Sequence, residues 1–460
     1  MTETQTPKLV LLGAGSLFFG RQAIWQMVHS PHLNTGTLAL VDTDEHRLEL
    51  MATVAQKVVD HTGVALQIEA STDRTDVLPG ADFVVLSFAV DSVRYRGLDC
   101  ELSAQYGIRM CSGDSTGPGG ILRTMRELPE ILACARDVQA LCPDAWLINY
   151  INPSAVNGIA LRRFAPGIKS FALCDGLHMP HVKRRYAQAA GIVPEGVPYD
   201  DEIDAEFDMR IAGVNHFTWM LKGEYQGRDV TPAIAETIRQ MAVTETDGGD
   251  TGAKARFNAS IGYALYQAFG YVPTCVAHTK EYVRFWQGRG VLEEPIPPLS
   301  LWETAPRYER HNAMWQQMED YASGKTSIDT YMTSFGPDHA TDIVENMVGG
   351  LGKPFFINTT NRGAVTNMGD DAFLELLCEV DMNGPRPLPV GEMPLGLHGM
   401  QQQVLDAHTL TAEAVYRCDY SLLRRALLVD PLTSSLADAD AILKELLAAE
   451  RDVLPACWYE

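Results

Sequence analysis

The first 190 residues alternate short apolar runs with amphipathic stretches, the spacing expected when strands of a parallel sheet are joined by crossover helices. Apolar runs at 8–13, 37–42, 66–70, 82–88, 145–151 and 169–174 predict six strands. Residues 121–142 carry apolar positions at helical spacing, and Pro129 predicts a kink or a boundary within them. Beyond about residue 200 the texture changes. A strand pair is predicted over 205–222, helices over 252–270 and 302–323, strands over 354–359 and 373–382, and helices over 398–428 and 436–449. The spans 244–250 (acidic, with glycine) and 291–298 (rich in proline) read as loops. The whole pattern predicts an α/β chain, with a Rossmann-type dinucleotide-binding domain over 1–195 and a mixed α+β domain over 196–460.

Composition narrows the partners. Thirty-seven basic residues against 59 acidic ones leave a formal charge of −22, which argues against nucleic acid, since phosphate neutralisation by basic faces supplies most of that affinity. A 46% hydrophobic, 21% charged chain of 460 residues is an ordinary globular composition, enough for two or three units. No apolar run approaches the roughly 18 residues of a membrane span, and the opening MTETQTPKLV lacks a basic region followed by a long apolar one. No membrane partner is expected, and a cytoplasmic location is. The nine cysteines form no CxxC pair, so most are expected to be buried reduced thiols rather than a disulfide framework or zinc site.

Four segments can carry chemistry. KLVLLGAGSLFFG is a strand running into Gly13, Gly15 and Ser16 and then a helix, the arrangement that seats a pyrophosphate against a helix start. The third glycine of GxGxxG is replaced by Phe18, so a purely structural turn is the alternative. A second strand ends in Asp42, whose carboxylate suits an adenosine ribose and repels a 2′-phosphate, favouring NAD over NADP. Asp42 can instead cap the next helix, although Thr43 or Asp44 can do so equally. The glycine-rich loop 113–120 places Asp114 where it can hold a hydroxyl, or is a plain connection. Asn152 stands just past a strand end, where open α/β sheets bind ligands, or caps the helix begun by Pro153. Cys174 lies at another strand end, with His178 close by and His216 some forty residues on; thiolate and imidazole suit a divalent transition metal, and core packing is the alternative for each.

Taken in order, GAGS, GDSTGPGG, INYINPSA, CDGLH and GVNHFTW resemble the NAD- and metal-dependent glycosidases of glycoside hydrolase family 4. INTTNRGAVTN at 357–367 and the segment 430–447 extend the resemblance over about residues 8 to 450, and the chain is most similar to the α-galacturonidase and α-glucuronidase branch. Such enzymes are an exception to the two-carboxylate mechanism of most glycosidases. The resemblance implies transient oxidation at sugar C3, loss of the C2 proton, elimination of the C1–O bond, addition of water and return of the hydride. It further implies a glycoside substrate, NAD and a divalent metal, Mn foremost, and a homodimer or homotetramer, with substrate, metal and oligomer contacts in the second domain. By the same resemblance Cys174 and His216 match metal ligands, Asn152 a residue that touches substrate, with Asp114 and Asn152 also near the cofactor, and Asp175 a general acid. There is a departure at the expected C2 base, where Val276 cannot accept a proton; His278, Tyr282 and Tyr271 remain as candidates. CDGLH also departs from the sugar-acid branch, which puts histidine after the cysteine, and NAD-dependent sulfoquinovosidases are a related possibility. Arg362, Arg94 and Arg96 are candidates to meet an anionic group at C5 or C6, with pairing to surface carboxylates as the alternative. The competing functions are an NAD-dependent dehydrogenase of a sugar or 2-hydroxy acid, and a catalytically silent NAD-binding protein.

Overall fold

A computed structural model describes residues 6–179, 181–193, 201–244, 249–287 and 302–460. All six amino-terminal strands form where the apolar runs predict: β1 Lys8–Leu12, β2 Thr37–Val41, β3 Gln67–Ser71, β4 Phe83–Leu86, β5 Trp146–Asn149 and β6 Lys169–Ala172. They are parallel and lie in the order β3-β2-β1-β4-β5-β6. β4 and β5 are buried at every residue, because helices cover both faces of a parallel sheet. The chain leaves β1 toward one edge and returns at β4 toward the other, and that reversal opens a crevice at the carboxyl ends of the strands.

The later strands are β7 Phe207–Val214, β8 Phe217–Tyr225, β9 Arg228–Asp229, β10 Val272–Pro273, β11 Pro354–Thr360, β12 Phe373–Asp381 and β13 Gly384–Pro387. They continue the same sheet antiparallel, in the order β6-β11-β12-β7-β8-β10. The junctions are short, with Asn358 opposite Ala172 and Glu375 and Leu376 opposite Gly213 and Ala212. One 13-stranded sheet therefore crosses from residues before 195 to residues after it.

Helix Gly117–Leu141 runs through Pro129 rather than ending there, and its residues 117–128 are all buried. An arginine on such a segment must be paired, and Arg126 is: it donates to Asp99 at 2.8 Å and Glu450 at 2.6 Å, all three buried. The helix predicted over 398–428 forms as two, Leu395–Arg417 and Tyr420–Val429. Cys418 between them has a left-handed backbone, and Asp419 caps the second by accepting from the Leu422 N–H. Cys418 is also disulfide-bonded to Cys457, a pair that the spacing of cysteines did not announce; the other seven cysteines are not in disulfides. Loop residues 245–248 and the span 291–298 lie outside the described residues. No described helix is long and apolar enough to cross a membrane.

Candidate active site

The glycine turn after β1 is built for close approach. Gly13 has φ of +92°, and a Cβ there would lie 2.6 Å from the Phe88 backbone nitrogen, so only glycine fits. The Gly15 N–H donates to Asp42 Oδ2 at 2.8 Å, and the Ser16 N–H to the Gly13 carbonyl at 2.9 Å. The tight helix packing that the missing third glycine normally allows comes from Gly20, where a Cβ would stand 2.7 Å from the Ala14 carbonyl. Asp44 accepts from the Arg47 N–H and so caps helix Glu45–Thr62. Asp42 is left to tie the glycine turn to the strand end, accepting from the Gly15 N–H at 2.8 Å and the Asp44 N–H at 3.0 Å. This cradle has the shape and charge for NAD.

Asp114 is the hub of the second group. Buried, it accepts from the Ser112 hydroxyl at 2.8 Å, from Arg96 at 3.0 Å, Arg123 at 3.2 Å and the Asn152 amide at 3.1 Å. Burial alone would raise its carboxyl, but the Arg96 and Arg123 guanidiniums outweigh that and hold it well below the usual carboxylate range. The loop behind it is tied from the far end of the chain. Asp430 accepts from Thr116 Oγ1 and the Gly117 N–H, both at 2.8 Å, and the His408 ring nitrogen Nε2 donates to the Ser115 carbonyl.

Asn152 joins this hub to the third group, its Nδ2 lying 3.4 Å from His216 Nε2. The other ring nitrogen of His216 lies 3.0 Å from Cys174 Sγ and 3.8 Å from Cys275 Sγ, and its ring stacks on His278 at 4.3 Å between centroids. Burial first, then the neighbouring His278, pushes the His216 imidazole down to about 3, so it is neutral and able to coordinate a cation. His278 Nδ1 is buried without a hydrogen-bond partner, and ligand atoms of His216, Cys275 and His278 lie within 4.8 Å of one another. A sulfur and nitrogen donor set of this kind fits a divalent transition metal. His339 Nδ1 donates to the Cys174 carbonyl, orienting the strand end that presents the thiol.

Segment 275–287 is the clamp. Tyr282 donates its hydroxyl to the Asn215 carbonyl, Thr279 donates to the His216 carbonyl at 3.3 Å, and Glu281 accepts from the backbone of Cys111 and Ser112. The Tyr282 side chain is fully buried, and burial pushes its phenol well above its ordinary value. That geometry makes it a support for His216 rather than a proton acceptor. A cavity of about 850 Å³ opens beside Cys174, His216, Cys275 and His278 and is otherwise lined largely by apolar groups, among them Ile234, Ile238, Met241 and Val276.

Two arginines are placed elsewhere than the sequence suggested. Arg362 follows β11, which runs antiparallel to β6 with Asn358 opposite Ala172. It therefore lies at the amino end of the strands, on the order of 15 Å or more from Cys174 at about 3.3 Å per residue, exposed and bonded to Thr360 Oγ1. Arg94 is on the outer face of its helix in an exposed pair with Asp452. Arg96, two residues on, faces inward, its guanidinium 4.1 Å from the Trp302 ring centroid. Asp175 opens a short 3-10 turn directly after Cys174, and its side chain lies outside the described residues. Arg123, Cys275 and Glu281 were not singled out. Arg123 carried a signal, being six residues into a helix whose apolar positions crowd every face, whereas Cys275 had none.

The family model for family 4 glycosyl hydrolases matches residues 8–189, and that for the family's carboxyl-terminal domain matches 211–433. An α-galactosidase of Bacillus subtilis is 27% identical over 457 residues, covering 97% of this chain and 99% of its own. A solved 6-phospho-α-glucosidase from gut microorganisms, in complex with NAD and Mn²⁺, superposes with a TM-score of 0.81 at 19% identity, covering 98% of this chain and 99% of that one. The 6-phospho-β-glucosidase of Thermotoga maritima with manganese, NAD⁺ and glucose-6-phosphate does so with a TM-score of 0.75 at 19% identity, covering 97% and 99%.

Proposed function

The chain belongs to family 4 of the glycosyl hydrolases, and on that premise we propose that it hydrolyses an α-glycoside of a hexose bearing an anionic group at C5 or C6, using NAD and a divalent cation, Mn²⁺ foremost. The observation that carries the reading is one connected set of side chains: Arg96 and Arg123 on Asp114, Asp114 on Asn152, and Asn152 on His216 beside Cys174. A sugar lying on Asn152 then has cationic side chains on one flank and the sulfur–nitrogen site on the other.

When bound, the nicotinamide supplies a hydride acceptor and donor for sugar C3, and the cation supplies positive charge beside the C2 and C3 oxygens. The protein's share is placement. Gly13, Gly15 and Ser16 form the pyrophosphate cradle, and Asp42 accepts from ribose hydroxyls while repelling a 2′-phosphate. Cys174 and His216 hold the cation. His278, with its unpartnered Nδ1, takes the C2 proton in place of the carboxylate that Val276 lacks. Tyr282 positions His216 through the Asn215 carbonyl. Asp175 protonates the leaving oxygen, and the apolar cavity receives the leaving group. Arg96, rather than Arg362 or Arg94, faces the anionic substituent; its stacking on Trp302 and its two contacts to Ser112 hold the guanidinium plane in one orientation.

The test is turnover of aryl α-glycosides, neutral and C6-anionic, with NAD and Mn²⁺, using substrates deuterated at C2 or C3. Hydrolysis that needs NAD, leaves no net NADH and shows a primary isotope effect at either carbon supports the reading. Hydrolysis without NAD defeats it, and accumulation of NADH on free sugars or hydroxy acids would make the chain a dehydrogenase.

A further inference from the structure

We infer that Cys275 is a second thiolate ligand of the cation held by Cys174 and His216, so that the site is sulfur-rich and selective for thiophilic divalent metals. The inference rests on the reading of Cys174 and His216 as the metal pair. A cation about 2.3 Å from a thiolate and about 2.0–2.1 Å from an imidazole, at near-tetrahedral angles, separates the two donor atoms by roughly 3.6 Å. Cys275 Sγ stands 3.8 Å from His216 Nδ1, close to that value, and Cys174 Sγ stands 3.0 Å from the same nitrogen.

Both sulfurs also converge independently of His216. A Cβ placed on Gly176 would make ordinary contact with both, 3.4 Å from Cys174 Sγ and 3.8 Å from Cys275 Sγ, so the two thiols face the same residue. Cys275 enters it from the residue before the short helix Val276–Thr279, on the segment that Thr279, Glu281 and Tyr282 lock to the His216 and Ser112 backbones. His278 from the same helix brings a ring nitrogen within 4.8 Å of the His216 and Cys275 donor atoms, and the proposed function gives it the C2 proton. Two thiolates and an imidazole favour Zn²⁺, Co²⁺ or Fe²⁺ over Mn²⁺ more than one thiolate does, because Mn²⁺ prefers oxygen donors.

The deciding measurement is X-ray absorption fine structure on the full-length protein with NAD, loaded with Zn²⁺ and separately with Co²⁺. Two sulfur scatterers at about 2.3 Å are expected. One sulfur overturns the role of Cys275 while leaving the Cys174 and His216 pair standing, and no sulfur overturns that pair and the inference together. Cys275→Ser is expected to drop the count to one, halve the thiolate-to-cobalt absorption, and lower the preference for Zn²⁺ over Mn²⁺ about tenfold in competition titrations. A count that stays at two in Cys275→Ser assigns the second sulfur to another residue and overturns the inference. Since the first measurement uses the unmutated chain, it decides even where the variant fails to fold.

Discussion

Asp42 and Asp44 sit two residues apart and do different work: Asp44 accepts the Arg47 N–H as a cap, and Asp42 closes the glycine turn through Gly15. A carboxylate that accepts from ligand hydroxyls contributes about 1.5–3 kcal/mol. Asp42→Ala is therefore expected to weaken NAD roughly 10- to 100-fold and to bring NADP⁺ nearer to NAD⁺ in affinity, as read by calorimetric titration. Equal affinities in the unmutated protein would remove the ribose role. The arginines allow a paired comparison. Arg96→Gln is expected to lower kcat/KM on an anionic glycoside at least tenfold more than on its neutral analogue, since a buried charge-assisted contact is lost. Arg362→Ala, at the opposite end of the sheet, should leave both within about twofold. Equal losses from Arg96→Gln on the two substrates would confine that residue to holding Asp114.

At the level of elements, the amino-terminal part of helix Gly117–Leu141 is held by groups from the end of the chain. Asp430 grips its first residues, and the ending of helix Leu436–Ala449 brings Glu450 onto Arg126. Asp99 and Glu450 share that one arginine, so with both carboxyls ionised the trio would carry an excess negative charge, which a proton on Glu450 removes. Burial, and then the Asp99 carboxylate, pushes Glu450 from 4.5 up to about 9. A carboxyl raised on folding binds its proton more tightly in the folded protein, so its contribution to stability is whole below about 4.5 and is lost as pH climbs through about 9. Thermal melts of the unmutated protein and of Glu450→Gln are expected to agree near pH 5. By pH 9 the variant should be the more stable, the gap having widened steadily from pH 5. A constant difference across that range would show that Glu450 stays ionised throughout.

Over the whole molecule, the sheet is continuous from β3 to β10, and the glycine-rich loop 113–120 is tied down by residues beyond 400. Cooperative unfolding follows, because neither half closes its own polar accounts: without Asp430 and Glu450, the Thr116 hydroxyl and Arg126 lose buried partners. Calorimetry is expected to show one transition, raised by NAD by about 2.7 kcal/mol at a hundredfold excess over Kd. Residues 1–195 expressed alone should neither melt cooperatively nor bind NAD. A separate low-temperature transition, or a folded fragment, would mean that the two parts are energetically independent.

The period of apolar positions was enough to determine the six parallel strands, the glycine turn and the strand ends at Asn152 and Cys174, because a strand buried on both faces has no freedom to be polar and a pyrophosphate cradle needs glycine at defined places. The β7–β8 hairpin and the strand β12 were readable for the same reason. Contacts between residues far apart in sequence were not. Nothing local distinguishes Arg96, which turns inward to Asp114, from Arg94, which turns outward to Asp452; the helix phase decides, and it depends on what packs against it. Arg362 looked available beside a familiar motif, yet the antiparallel course of β11 carries it to the far end of the sheet. Cys275 joins Cys174 and His216 only because Tyr282, Thr279 and Glu281 bind its segment across the hairpin and the glycine-rich loop. Local patterns specify which backbone state each segment takes, whereas a site assembled from six segments is specified by the packing that brings them together.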